Sequence, residues 1–225
     1  MRARVLWLVW SAALAAQPVL AQRHTVLVHR PGPSRLAPSP LQLVLEAGAA
    51  VPAGDLADDF ANTEMGLGAG TGYDLGIRLR YFLSDVTAVG PTFHYANFGD
   101  WEDVSADPVG DAYAVRTSVY RYGVDLQQYL APRRAVVRPY VTVGAAFCHD
   151  RYEDWLQFAG TFTTASNNLA FGIGGGVAMG PLELSAVWTY NQTDNRMLPR
   201  AGGVYDTEYD WSYLVVRAGV ALGGH

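Results

Sequence analysis

The sequence contains no lysine: each of its 16 basic residues is arginine, against 21 acidic ones. The bias reads as coding composition, not chemistry. A net charge of −5 argues against a nucleic-acid partner, which needs clustered cations for the phosphate backbone. There is one cysteine, Cys148, so no intramolecular disulfide can staple the fold. In an exported chain a lone cysteine points to a free thiol or an intermolecular bond. The plainer reading is a small residue packed on a strand. Long hydrophobic runs are also missing. The run Val5 to Ala16 falls short of the roughly 20 apolar residues a membrane helix needs. Later apolar stretches are broken every two or three residues by Arg, Asp, Gly or Thr. Helical spanning is excluded; spanning by strands is not. No acidic spacing matches a calcium loop, and neither a metal nor a cofactor is expected.

What is present begins with a leader. Arg2 and Arg4 precede the apolar run, and Val19-Leu20-Ala21 ends in a small residue, so residues 1–21 read as a cleaved signal peptide. Residues 22–40 hold Pro31, Pro33, Pro38 and Pro40 with no period, as a flexible periplasmic lead-in would. The remainder, 41–225, fits one domain by length.

That remainder alternates. Eight stretches of period-two patterning are expected as strands: Leu41–Val51, Gly70–Leu83, Val86–Phe98, Tyr113–Leu130, Val136–Cys148, Asn168–Met179, Leu182–Tyr190 and Tyr209–Leu222. In the second, Tyr73, Leu75, Ile77, Leu79 and Tyr81 oppose Asp74, Gly76, Arg78 and Arg80. On a helix those arginines would scatter; at period two they align. Pro91 suggests a bulge in the third strand, because it removes a ladder donor. The connectors alternate. Ser84-Asp85, Ala131–Ala135 and Gly180-Pro181 are tight; Pro52–Ala69, Gly99–Ala112, His149–Asn167 and Asn191–Glu208 are long. An even strand count with this alternation describes an all-β, eight-stranded antiparallel up-and-down transmembrane barrel.

Alternation also fits a lipocalin-like barrel with an apolar interior. Gly99-Asp100-Trp101 has the lipocalin form, but in mid-chain rather than near the first strand. The face opposite the apolar one carries Glu46, Asp74, Arg78, Arg80, Arg121, Asp125, Arg138, Glu183 and Arg217, interleaved with glycines. Small residues suit a narrow interior filled by side chains, so this face is assigned to the lumen and its charges to an ion-pair network. Tyr73, Tyr81, Tyr95, Tyr129, Phe147, Trp188, Tyr190 and Trp211 are expected in two aromatic girdles at the membrane interfaces.

Four stretches carry a resemblance. They are Glu46-Ala-Gly-Ala-Ala-Val-Pro-Ala-Gly-Asp55, Gly76-Ile-Arg-Leu-Arg-Tyr-Phe-Leu-Ser84, Arg138-Pro-Tyr-Val-Thr-Val-Gly144 and Val215-Val-Arg-Ala-Gly-Val220. The chain resembles the small eight-stranded outer-membrane barrel family, the OmpA/OmpX/OmpW-like group. The resemblance implies the Gram-negative outer membrane as location. It also implies outer-membrane lipid, lipopolysaccharide and the barrel assembly machinery as partners, and a monomer. Family barrels often end in an aromatic residue; this chain ends Leu222-Gly-Gly-His225.

The expected function is envelope structure or surface interaction through acidic external loops, over a plugged polar lumen. A narrow, porin-like channel for small or hydrophobic solutes is the alternative. An outer-membrane enzyme acting on lipid is third. His94 and His149 are placed near the outer rim with Asp100, Asp150 and Ser166, but two rim histidines are ordinary polar residues. No catalytic residue is assigned. Cys148 and His149 point to opposite faces while their strand stays regular.

Overall fold

The computed structural model describes residues 39–57, 68–99, 101–103, 113–156, 160–197 and 205–223. The leader expected at 1–21, and nearly all of the lead-in expected at 22–40, lie outside these residues. No described helix is long and apolar enough to cross a membrane, which says nothing about crossing by strands.

The strands are β1 (Leu41–Pro52), β2 (Gly70–Phe82), β3 (Thr87–Gly99), β4 (Trp101–Asp103), β5 (Tyr113–Tyr129), β6 (Val137–Leu156), β7 (Gly160–Met179), β8 (Leu182–Met197), β9 (Tyr205–Asp210) and β10 (Tyr213–Leu222). They build eight staves. β3 and β4 both pair with β5, and β9 and β10 both pair with β8, so each couple is one interrupted stave. Neighbours run antiparallel in chain order, and β10 pairs with both β1 and β8. The sheet therefore closes on itself, leaving no free edge around its girth.

Closure sorts the side chains by parity. Leu45, Ile77, Val124, Val143, Ile173 and Leu184 face out and are exposed; Glu46, Arg78, Asp125 and Thr142 face in and are buried. Glycine on the inward face makes room for long neighbours. A Cβ on Gly76 would lie 2.1 Å from His94 Nδ1, and one on Gly144 would lie 2.1 Å from Asp125 Oδ1. The narrow interior can hold charged side chains only where opposite residues give up their own.

Three expectations are corrected. The segment 149–167 is mostly strand: β6 runs to Leu156 and β7 starts at Gly160. In the same way β8 continues to Met197 and β9 begins at Tyr205. Period-two patterning fades beyond Phe147 and Leu169 because polar residues such as His149, Asp150, Arg151, Asn167 and Asn168 fall on both faces, while the threonines of β7 favour extended backbone. Second, Pro91 makes no bulge. It pairs with Val124 in an unbroken β3–β5 register, and the one register shift between β2 and β3 lies between Gly70 and Tyr73. Pro91 costs a ladder bond without inserting a residue. Third, the last stave breaks at Trp211-Ser212, where Tyr209–Leu222 was expected to be continuous.

Candidate functional site

The lumen is filled in three tiers. The middle tier is a belt of charge. Arg80, on β2, donates to Glu183 on β8 through both terminal nitrogens at 2.6 and 2.8 Å, and to Gln42 Oε1 at 2.6 Å. This is the paired fork geometry that guanidinium and carboxylate favour. Arg217, on β10, donates to Asp74 on β2 at 2.6 Å, and His94 Nδ1 lies 3.3 Å from the same carboxylate. Arg78 sits 3.3 Å from Glu46 and 3.6 Å from Asp125, while Arg121 reaches Asp125 at 3.2 Å. All these side chains are buried. Each charge of this belt thus faces an opposite one, which low-dielectric surroundings demand.

Arg138, outside the belt, has no such partner. Among the described residues no carboxylate stands within ion-pair distance of it. Its guanidinium lies 4.8 Å from the Tyr129 ring centre and 5.9 Å from that of Phe82. Cation–π contact supplies part of what a counter-ion would.

Aromatic stoppers close the lumen on both sides of the belt. At the tight-turn end Phe82, Tyr129 and Tyr140 pack with Ala88 and Ala178. Phe82 stacks on Tyr129 at 5.8 Å, Tyr129 meets Tyr140 at 5.2 Å, and Arg133 covers Phe82 at 4.2 Å. At the long-loop end Leu56, Phe98, Val115, Val119, Trp211 and Tyr213 form a second apolar cluster with Ala50, Tyr152 and Cys148. Phe98 meets Tyr213 edge-on at 5.4 Å.

The second stopper is built by a turn from the first long connector. After β1 the chain makes one 3-10 turn, Gly54–Leu56, which drives Leu56 into the mouth. Gly54 takes a φ of +61°, and a Cβ there would press on Asp210, so glycine is required twice over. The turn is latched to the break in the last stave. Ala53 N–H donates to Ser212 O at 2.9 Å and Asp210 N–H donates to Asp55 Oδ2 at 2.8 Å. Ser212 donates to Asp210 through both its N–H and its hydroxyl. This latch holds Trp211 inward.

The outward face is the inverse of the lumen. From Tyr73 and Phe147 down to Tyr81 and Val137, no charged side chain faces out among the described residues. The band spans about 9–11 residues per stave, the length that crosses a bilayer core. Phe147 is 68% exposed and Ile173 60% exposed, so the band is a large contiguous apolar surface. Tyr73, Tyr95 and Tyr120 lie side by side on three adjacent staves, 6.1 and 4.8 Å between ring centres. Tyr81, Phe147, Trp188 and Tyr190 are outward and exposed as well.

Two residues assigned to the girdles are not there. Tyr129 shares parity with Asp125 and Gln127 and is buried in the tight-turn stopper; Trp211 turns inward at the stave break and is fully buried. Phe82, Phe98 and Leu56 were missed as lumen residues. Parity with Arg80 and His94 would have found the first two; Leu56 follows no strand and has no such signal.

The rim histidines separate. His94 lies within the belt, against Asp74 and 3.7 Å from Glu46, not at the rim. His149 faces out beside Tyr120 and meets Asn167 at 2.9 Å. Asp150 faces in, accepting from Asn191 at 2.9 Å and from Asn168 at 2.6 Å. Cys148 is buried inside, on the face opposite His149. Ser166 accepts from Asn168 at 3.0 Å; Asp100 lies outside the described residues. Among the described residues no group of three or more His, Cys, Asp or Glu could hold a metal ion.

No family model and no curated protein matches the chain. Several solved structures do. Neisserial surface protein A is similar at 17% identity and a TM-score of 0.48, over 82% of this chain and 97% of that one. Ail, the attachment invasion locus protein of Yersinia pestis, is similar at 14% and 0.47, over 81% and 99%. A major outer membrane protein of Thermus thermophilus is similar at 13% and 0.47, over 81% and 99%.

Proposed function

We propose that this protein is an outer-membrane barrel with a sealed lumen that works at the cell surface, in envelope structure or in interaction with a partner, and is neither a channel nor an enzyme. The observation that carries the reading is the three-tier filling of the lumen. A solute would have to displace Trp211 and Leu56, part the ion pairs of Arg78, Arg80, Arg121 and Arg217, and then pass Phe82, Tyr129 and Tyr140. The apolar outer band gives the membrane assignment: burial in lipid satisfies it and exposure to water does not. Outer-membrane lipid and lipopolysaccharide are the surroundings that band meets, and the barrel assembly machinery is the route of insertion for such a sheet. The charged lumen residues serve as internal scaffold, and the outward aromatics as interface anchors.

The tight turns face the periplasm and the long connectors the outside, which puts the extended ends of β6 and β7 beyond the membrane. Site-directed labelling tests this orientation. In a Cys148→Ala background, Thr163→Cys should react with a membrane-impermeant maleimide on intact cells. Arg134→Cys, in a tight turn, should react only after the outer membrane is permeabilised. The reverse pattern, or equal labelling of both, would refute the surface reading.

A further inference from the structure

The tight turn between β5 and β6 is closed by Ala135 N–H, which donates to Pro132 O at 2.9 Å. Arg133 and Arg134 are its two central residues. Their side chains part. Arg134 is exposed, while Arg133 is partly buried and folds back over Phe82 at the inner end of the lumen. Arg133 Nη2 donates to Ser39 O at 2.7 Å, which ties the turn to the start of β1. Arg138, near the start of β6, reaches the same place from the lumen wall and is only 7% exposed. The two guanidiniums share one ring: Arg133 is 4.2 Å and Arg138 5.9 Å from the centre of Phe82.

Charge at this end does not balance. Arg80, 5.7 Å from the Tyr129 ring centre, already engages both oxygens of Glu183. Beyond that pair the described residues carry Arg133, Arg134 and Arg138 against one carboxylate, the exposed Asp85 of the neighbouring turn. Arg138 has no carboxylate within ion-pair distance and no oxygen accepting from it among the described residues; its contacts are the rings of Tyr129 and Phe82. A ring attracts the guanidinium charge but offers no acceptor to match its five N–H donors. Partial burial and the neighbouring Arg138 charge lower the pKa of Arg133, and Asp85 only partly offsets them. Two like charges gathered on one ring, one of them buried without a counter-ion, are unfavourable unless an anion joins them.

We infer that Arg133 and Arg138 form a binding site for a phosphate group at the tight-turn mouth of the lumen. A carboxylate fills one guanidinium fork; a tetrahedral phosphate has oxygens for two, and a phosphate monoester carries a charge of about −2 to set against the excess. Phe82, stacked on Tyr129, floors the site, so the ligand goes no deeper and the lumen stays sealed. The rest of a phosphate ester must extend away from the barrel, past the turn. Leu130 and Val137 flank that turn on the exposed outer face, which sets it at the depth of phospholipid headgroups. Two sources share this chemistry: soluble phosphate, and the headgroup of a phospholipid. The orientation proposed above makes the mouth periplasmic; binding itself does not depend on it.

The test uses the full chain in nanodiscs, with inorganic phosphate as the probe and the NMR signals of the arginine side chains as the readout. In phosphatidylcholine discs, phosphate should shift the Arg133 and Arg138 signals saturably, and chloride at equal ionic strength should not. Discs containing phosphatidic acid separate the sources. A lipid source gives the same shift before any phosphate is added; an unchanged response to added phosphate identifies the soluble source. Either result supports the site. Arg133→Gln should weaken binding about tenfold, Arg138→Gln should abolish saturation, and Arg134→Gln should change neither. Phosphate should also raise the urea midpoint of the unaltered chain and of Arg134→Gln, but not of Arg138→Gln. If Arg138→Gln loses its heat-modifiable band, Arg133→Gln, in a turn outside the sheet, carries the test. No shift in either disc, an equal response to chloride, or undiminished binding in Arg133→Gln would overturn the inference. Labelling of Arg134→Cys distinguishes this failure from that of the surface reading: a reversed orientation would move the site to the outer surface without removing it.

Discussion

At the residue scale the interior depends on pairing. Asp74 serves two groups, Arg217 and His94, so Asp74→Ala strands a buried guanidinium. The expected loss is about 3–5 kcal/mol, read as a lower urea midpoint for unfolding from lipid vesicles. Replacing both members of a pair behaves differently. Arg80→Met or Glu183→Leu alone should each destabilise strongly, while the double variant should recover most of the loss, because no uncompensated charge remains. A double variant no better than the worse single one would show that the pair does not act as a unit. Space is as tight as charge. Gly76→Ala sets a methyl 2.1 Å from His94 Nδ1 and must expel the ring from Asp74. The His94 signals in an NMR spectrum should shift, and stability should fall by about 1–3 kcal/mol. The inward charges were legible in the sequence because parity alone places Arg78 with Arg80 and opposite Leu79. Tyr129 and Trp211 were misread because aromatic type was weighed above parity. The identity of each arginine's partner was not legible, since Arg217 and Asp74 are 143 residues apart and only ring closure brings them together.

At the scale of elements, strand existence was legible and strand ends were not. Inside the apolar band, alternation marks the course of each stave. Above it, β6 and β7 continue as a hairpin that hydrophobic patterning cannot announce. The mouth turn was equally silent, because Gly54–Leu56 works through a latch to residues far along the chain. Cutting that latch is a test of its own. Trp211→Ala should cost about 3–5 kcal/mol through the cavity it leaves. Asp55→Ala should cost about 1–3 kcal/mol and speed exchange of the Asp210 and Ala69 amides, with the tight-turn stopper unaffected. Unchanged exchange at both amides would mean that the turn is held by packing alone.

At the scale of the whole molecule the architecture is one inversion: apolar outside, charged inside, aromatic at both ends of the lumen. The inversion was readable because glycine and arginine share a face, a combination that suits a crowded interior and no water-facing sheet. That the ends are stoppered was expected only as a plug of charge; aromatic packing provides the seal and the charges fill the middle. A closed lumen in a properly inserted barrel is therefore the decisive property. The most direct measurement is current across a planar bilayer, using protein whose band shifts on boiling and so is folded. A sealed lumen should give no current steps above the bare membrane. Steady, reproducible steps from that same heat-modifiable protein would contradict it and turn the charged belt into the lining of a pore.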